Sequence, residues 1–120
     1  MKIILTAVSP SIEAAFDQRF GRCSYFIVAD TETMEWQAFP NPAKMASGGA
    51  GSQAAQFASQ QNAVAVISGD FGPNAAAALN AAGIQMYLYQ DGSTVKDAIE
   101  RFKAAELTQV NQSTAPGHHH

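Results

Sequence analysis

The sequence predicts an α/β protein built on a mixed sheet of about five strands, with helices packed on the sheet. Two observations support this fold class. The first third of the chain holds three strand-like apolar runs separated by turn residues, which is typical of antiparallel pairing. The remainder alternates helix-like and strand-like segments, which is typical of parallel strands joined by helices. The predicted order is β-β-β-α-β-α-β-α.

The first three strands are predicted at residues 2–8, 24–30 and 35–39. Each run is rich in β-branched or aromatic residues, which favour strands. The polar turn between the second and third strands predicts an antiparallel hairpin. Pro40 and Pro42 should then end the ladder, because proline has no N–H group to donate.

The second half of the chain is predicted to contain the parallel strands and the helices. Helices are expected at residues 53–61 and 73–82, and strands at residues 63–68 and 84–89. The run at 63–68 is continuously apolar, which is typical of a strand covered on both faces. Gly83 is placed to end the second helix in a left-handed conformation.

A last helix is predicted to begin near residue 94. Thr94 is followed three residues later by Asp97, which resembles a capping box. Apolar residues then follow at helical spacing and predict one buried face: Val95, Ala98, Ile99, Phe102 and Ala105. We expect residues 1–107 to form a single α/β domain and residues 108–120 a flexible polar tail.

The composition indicates which classes of partner and which cellular compartment to expect. A net charge of −3 over 120 residues argues against nucleic-acid binding, which needs many basic residues to displace counterions. The apolar run at residues 2–8 is too short for a membrane span, so no membrane partner is expected. The single cysteine cannot form an internal disulfide and suits a reducing compartment, so we expect a cytoplasmic protein.

Two glycine-rich loops lead into predicted helices, at residues 47–52 and 68–74. In open α/β sheets, ligands bind beyond the carboxyl ends of the parallel strands. Helix N-termini at that edge present unpaired N–H groups and a positive dipole end, which suit an anion. The alternative is that these glycines only form turns.

A basic segment, "RFGRC" at residues 19–23, precedes the second strand. Arg19 and Arg22 offer permanent positive charge, and Cys23 offers a soft metal ligand, so the three could hold an anionic, sulfur-rich metal species. The alternatives are that the arginines pair with Glu13, Asp17 or Asp30 and that the cysteine only packs in the core.

Other site chemistry fits the sequence poorly. A cysteine nucleophile needs a histidine base, and the only histidines are His118, His119 and His120. These three are either an expression-tag remnant or a native metal-gathering tail. The carboxylates show no cluster suited to two-metal phosphoryl transfer. A structural zinc site would need about four ligands, which one cysteine cannot supply.

Several segments together resemble the dinitrogenase iron–molybdenum cofactor biosynthesis family. They are "FDQRFGRCSYFIVAD", "SGGAGSQAA", "VISGDFGPNAAAALNAAGIQMY" and "VKDAIE", and the resemblance runs over residues 1–104. It implies a ribonuclease-H-like fold and a protein that binds or transfers an anionic metal–sulfur cofactor, of iron–molybdenum or molybdenum–copper sulfide type. Some cofactor-carrying relatives have a histidine near the glycine-rich loop, where this chain reads "SGGAGS".

The resemblance assigns a cofactor-binding site to matching residues. Arg19 and Arg22 would neutralise charge, and Cys23 would ligate metal or only pack. The glycine-rich loop and the later "GPNA" turn would donate backbone hydrogen bonds to sulfides; the residues are Ser47, Gly48, Gly49, Ala50, Gly51, Gly72 and Asn74. The histidines at 118–120 are further possible metal ligands.

The function expected from the sequence is that of a non-enzymatic carrier. It would bind an anionic metal–sulfur cofactor and carry it or help to assemble it, with cluster-donating or cluster-accepting proteins as partners, as a monomer or a weak homodimer. The alternative is a metal-free interaction or regulatory module that docks a protein partner through the same glycine-rich loops. An enzyme on the same scaffold is disfavoured because no carboxylate cluster is evident.

Overall fold

The computed structural model describes residues 1–45, 48–90 and 93–114. Over these residues the chain forms a six-stranded sheet and three helices. In chain order the elements are β1 (Lys2–Ala7), β2 (Tyr25–Asp30), β3 (Trp36–Pro40), α1 (Ala50–Gln60), β4 (Ala65–Ser68), α2 (Pro73–Ala81), β5 (Gln85–Leu88), α3 (Val95–Lys103) and β6 (Thr108–Val110). The predicted mixed α/β fold is confirmed.

The strands lie in the order β3-β2-β1-β4-β5-β6. The three central strands β1, β4 and β5 are parallel, whereas β2, β3 and β6 join antiparallel at the two sides. Ile4 of β1 lies opposite Val28 on one side and Val66 on the other. The chain leaves β1 toward β2 and leaves β4 toward β5, so its direction across the sheet reverses between β1 and β4.

Two apolar cores lie on opposite faces of the sheet because side chains alternate along each strand. Ile4 and Val66 face the layer that contains α1 and α2, whose contact residues are mostly alanines. Ile3 and Leu5 face α3, which contributes Val95 and other buried residues. The small side chains of α1 and α2 allow their backbones to approach the sheet and each other closely.

Helix α1 begins at Ala50, three residues earlier than the predicted start at residue 53. Gly49 precedes it in the left-handed conformation, with φ of 71°, which glycine adopts without steric cost. The predicted start is wrong because glycine, which favours loops, is also compatible with the first turn of a helix. Gly51 instead lies in the first turn of the helix, where its missing side chain matters for packing.

The other helices follow the prediction closely. Pro73 opens α2, and Gly83 follows its end with φ of 73°. Thr94 Oγ1 accepts a hydrogen bond from the Asp97 N–H at 3.1 Å, so half of the capping box forms. The Asp97 carboxylate accepts instead from Tyr89 and Arg101.

One expectation for the end of the chain needs correction. Residues 108–110, which were expected to begin a polar tail, form the edge strand β6. Three residues, of which only Val110 is apolar, are too few to give an alternation pattern, and the backbone bonds to β5 hold them in place. Beyond β6, the N–H of Thr114 donates to the Phe71 carbonyl and its Oγ1 accepts from the Phe71 N–H, both at 2.9 Å. Within the described part of the chain, no helix has the length and apolar character needed to cross a membrane.

Candidate functional site

A groove of about 390 Å³ opens where the basic segment meets the N-termini of α1 and α2. It lies beyond the carboxyl ends of β1 and β4, where the direction of the chain across the sheet reverses, the usual ligand position in open α/β sheets. A backbone bridge between Arg19 and Asp70 joins the two loops that follow these strands. The lining residues are Arg19, Phe20, Gly21, Arg22, Gly49, Ala50, Gly51, Asp70, Gly72, Pro73, Asn74 and Ala75.

Close backbone packing brings the three segments of the groove together. A Cβ at Gly21 would lie 3.2 Å from the Gly51 nitrogen, and a Cβ at Gly51 would lie 3.0 Å from the Ala75 Cβ. Real Cβ atoms are rarely this close to their neighbours. Glycine at both positions therefore lets the basic segment rest against α1 and lets α1 rest against the start of α2.

The N-termini of α1 and α2 both lack side-chain caps. The residues preceding them, Gly49 and Gly72, carry no side-chain acceptor, and neither first turn contains an acidic residue. Helix α3 differs, because Thr94 caps it and Asp97 lies in its first turn. The first N–H groups of a helix have no intrahelical acceptor, so α1 and α2 can donate to a bound anion.

Arg19 is held at the groove wall by Asp17. The Asp17 carboxylate accepts from Arg19 Nε and Nη2, each at 3.1 Å, and from the Arg19 backbone N–H at 2.9 Å. The side-chain hydrogen bond and then the charge of Asp17 raise the pKa of the Arg19 guanidinium. Arg19 therefore forms the ion pair with Asp17 that the sequence left as an alternative. The guanidinium has five N–H donors and the side chain is exposed, so donors remain for a ligand.

Arg22 ties the basic segment to the loop before α1. Its Nη1 donates to the Lys44 carbonyl at 3.0 Å, and the Lys44 ammonium donates to Ser24 Oγ at 2.7 Å. Arg22 is exposed and lines the groove. Both arginines thus line the same groove. Arg19 is held by an ion pair with Asp17, and Arg22 donates to a backbone carbonyl.

Cys23 lies inside the core and is not among the residues that line the groove. Its side chain is 0% exposed, and burial raises the pKa of the thiol to about 12. The sulfur lies 3.5 Å from the Phe20 carbonyl, and Asn41 Nδ2 donates to the Cys23 carbonyl at 2.9 Å. Since a metal ligand must be a thiolate, this environment favours packing over metal ligation.

Asp70 was not assigned to the site from the sequence, yet it lines the groove. Only its position directly after β4, in "SGDFGPN", could have indicated this. Phe20, Gly21, Pro73 and Ala75 were missed likewise and line the groove beside the assigned residues. Over the described ranges, no three His, Cys, Asp or Glu side chains lie close enough to hold a metal ion.

Among the described residues, not every predicted site residue lines the groove. Gly48 is exposed, just before α1, and is not part of the groove lining. Ser47 and the histidines at 118–120 lie outside the described residues. A larger groove, of about 520 Å³, lies at the opposite end of the sheet beside Lys2 and Trp36. None of the predicted site residues lines it, so we place the candidate site in the smaller groove.

The sequence model of the family described as "Dinitrogenase iron-molybdenum cofactor" matches residues 1–105. The chain belongs to the dinitrogenase iron–molybdenum cofactor family. The matched segment contains every residue that lines the groove. No curated protein sequence matches this chain.

Two solved structures of similar proteins agree with this family. The apo form of the orange protein from Desulfovibrio gigas is 35% identical, with a TM-score of 0.90 over 95% of this chain and 96% of that one. A putative NifB protein from Thermotoga is 28% identical, with a TM-score of 0.83 over 97% of this chain and 98% of that one. Membership of the family thus supports a role related to this cofactor.

Proposed function

We propose that this protein binds an anionic metal–sulfur cofactor, or a precursor of one, in the groove and carries it to another protein. The observation that carries the proposal is the convergence of two uncapped helix N-termini with Arg19 and Arg22 on one groove. The family membership supplies the chemical class of the cargo. The proposal assigns no catalytic step to the protein.

The groove chemistry suits sulfide ligands that carry negative charge. Backbone N–H groups of Ala50, Gly51 and Asn74 can donate to sulfides, and the helix dipoles favour an anion at the same place. Each charge-assisted hydrogen bond contributes about 1.5–3 kcal/mol, so several together would hold a small cluster. The cavity volume of about 390 Å³ lies within the range of small-molecule sites.

A carrier must release its cargo, and the groove is consistent with this need. Amides and arginines hold an anion without forming a bond to the metal. With Cys23 buried among apolar side chains, no soft ligand is among the described residues that line the groove. We therefore propose that the arginines and helix amides, rather than Cys23, provide most of the affinity.

Metal binding by the untagged protein tests the proposal. Protein purified without oxygen is incubated with tetrathiomolybdate, with and without cuprous copper, and bound metal and visible absorption are measured. We expect binding by the parent and a loss of at least about tenfold in affinity for the Arg19→Ala, Arg22→Ala double variant, since two charge-assisted contacts are removed. A Lys2→Ala, Lys103→Ala double variant removes the same charge away from the groove and is the matched control.

Three outcomes separate the interpretations. An equal loss of affinity in the two double variants would mean that the net charge of the protein, and not the groove, attracts the anion. Loss in a Cys23→Ser variant alone would favour direct ligation by the thiol. A parent protein that binds neither probe would contradict the carrier proposal and favour the metal-free interaction module.

A further inference from the structure

Asp70 is a carboxylate in a groove that is otherwise built for an anion. It is partly buried at the end of β4 and lines the groove with Arg19 and Arg22. Within the described ranges, its side chain forms no hydrogen bond or ion pair. The neighbouring Asp17 differs, because its carboxylate forms an ion pair and two hydrogen bonds with the Arg19 guanidinium. An ionised, unpaired carboxylate would repel an anionic cargo at this position.

The charged groups near Asp70 come from the loop after β1 and the loop before α1. From the loop after β1 come Asp17, Arg19 and Arg22, of which the first two form an ion pair. The first turns of α1 and α2 contribute no acidic residue, and Ser113 and Thr114 meet the neighbouring Phe71 through uncharged groups. Lys44 lies on the loop before α1 and donates to Ser24. Protonation of Asp70 would remove one negative charge from the groove.

We propose that Asp70 binds the cargo as the neutral carboxylic acid, so that each anion taken up brings one proton from solvent with it. This inference rests on the proposed function. The proton adds to a carboxylate oxygen of Asp70, and the resulting O–H donates to a sulfide or oxide of the anion. No electron is transferred, and on release the same proton returns to solvent.

The surroundings of Asp70 already favour protonation of its carboxylate. Burial first, and then the negative charge of Asp17, raise the pKa of the Asp70 carboxyl. A bound anion acts in the same direction, because a nearby negative charge disfavours the ionised form. Binding and protonation therefore strengthen each other, as thermodynamic linkage requires.

The consequence is a site that loads at lower pH and releases at higher pH. Above the pKa of Asp70 in the free protein, affinity should fall by up to about tenfold per pH unit, until the pKa of the loaded form is passed. Asp70 would thus determine both the pH response and the preference for ligands that can accept a hydrogen bond.

The test measures tetrathiomolybdate affinity as a function of pH, over the range in which the fold and the ligand are both stable. Three proteins are compared: the parent, Asp70→Asn, and Glu100→Gln as a control with an exposed carboxylate on α3. We expect the affinity of the parent and of the control for tetrathiomolybdate to fall as the pH rises. The affinity of Asp70→Asn should not depend on pH in this way. At the highest pH this variant should bind more tightly than the parent, because its amide N–H group donates a hydrogen bond at every pH.

A second measurement follows Asp70 directly in the parent protein. Titration of its carboxyl carbon by nuclear magnetic resonance should show a higher pKa with tetrathiomolybdate bound than without. The inference is overturned if the parent binds without the pH slope, or if affinity rises with pH and Asp70→Asn binds weakly throughout, as a metal-ligating carboxylate would. Absence of binding at every pH would instead overturn the proposed function.

Discussion

The buried carboxylate of Asp17 holds the guanidinium of Arg19 through two bonds of 3.1 Å and also accepts the Arg19 backbone N–H. Asp17 is 5% exposed, and its own carbonyl accepts a hydrogen bond from the buried Thr6 hydroxyl of β1. The arginine at the groove is therefore fixed to the end of a central strand. An anion bound there, as proposed, would meet a guanidinium already in place, which would lower the entropic cost of binding.

Removing this carboxylate should destabilise the fold and weaken the groove. We expect Asp17→Ala to lower the free energy of unfolding by about 1–3 kcal/mol, because three donors lose their acceptor at a buried position. Urea denaturation measures the change. Glu32→Ala, at a site 83% exposed, should stay within about 0.5 kcal/mol of the parent. Equal effects of the two variants would show that Asp17 is not a structural anchor.

The Cys23 thiol should resist alkylation in the folded protein. Its pKa of about 12 leaves almost no thiolate at neutral pH, and the sulfur is fully buried. Labelling with iodoacetamide, followed by mass spectrometry, should be slow in buffer and rapid in denaturant. Because the chain has one cysteine, all thiol labelling reports on this residue. Rapid labelling of the native protein would show that the thiol reaches the surface.

The same thiol predicts a loss of stability at alkaline pH. Burial raises the pKa of Cys23 from 9.0 to about 12, so the unfolded chain releases this proton first as pH rises. The contribution to stability is complete below about pH 9 and is lost as pH rises toward 12. We expect urea midpoints of the parent to fall more steeply above pH 9 than those of Cys23→Ala. Parallel pH profiles of the two proteins would contradict this assignment.

Gly51 should be essential to the approach of the two helices. A Cβ there would lie 3.0 Å from the Ala75 Cβ and 3.1 Å from the Ala75 nitrogen, so Gly51→Val should separate the N-termini of α1 and α2. We expect a loss of about 1–3 kcal/mol in the free energy of unfolding, together with weaker anion binding. Gly48→Val is the control, because a Cβ at Gly48 meets no atom within 4 Å. Normal binding by Gly51→Val would mean that this contact does not shape the groove.

Local patterns predicted most of the secondary structure. The continuous apolar run of β1, and Pro73 and Gly83 as start and end signals of α2, act over a few residues, so they can be read along the chain. The start of α1 was misplaced because glycine is compatible with both a loop and a first helical turn. Strand β6 was missed because its three residues are held by backbone bonds to β5, which leave little trace in side-chain pattern.

The sequence by itself determined the order of the elements, the two apolar faces, and the segments that form the groove: the basic segment and two glycine-rich helix starts. Only the tertiary structure decided the role of each side chain there. Cys23 is buried by Phe20 and Asn41, whereas Asp70 faces the groove beside the arginines. Burial and electrostatic environment depend on neighbours far apart in the chain, and these are known only once the sheet has brought them together.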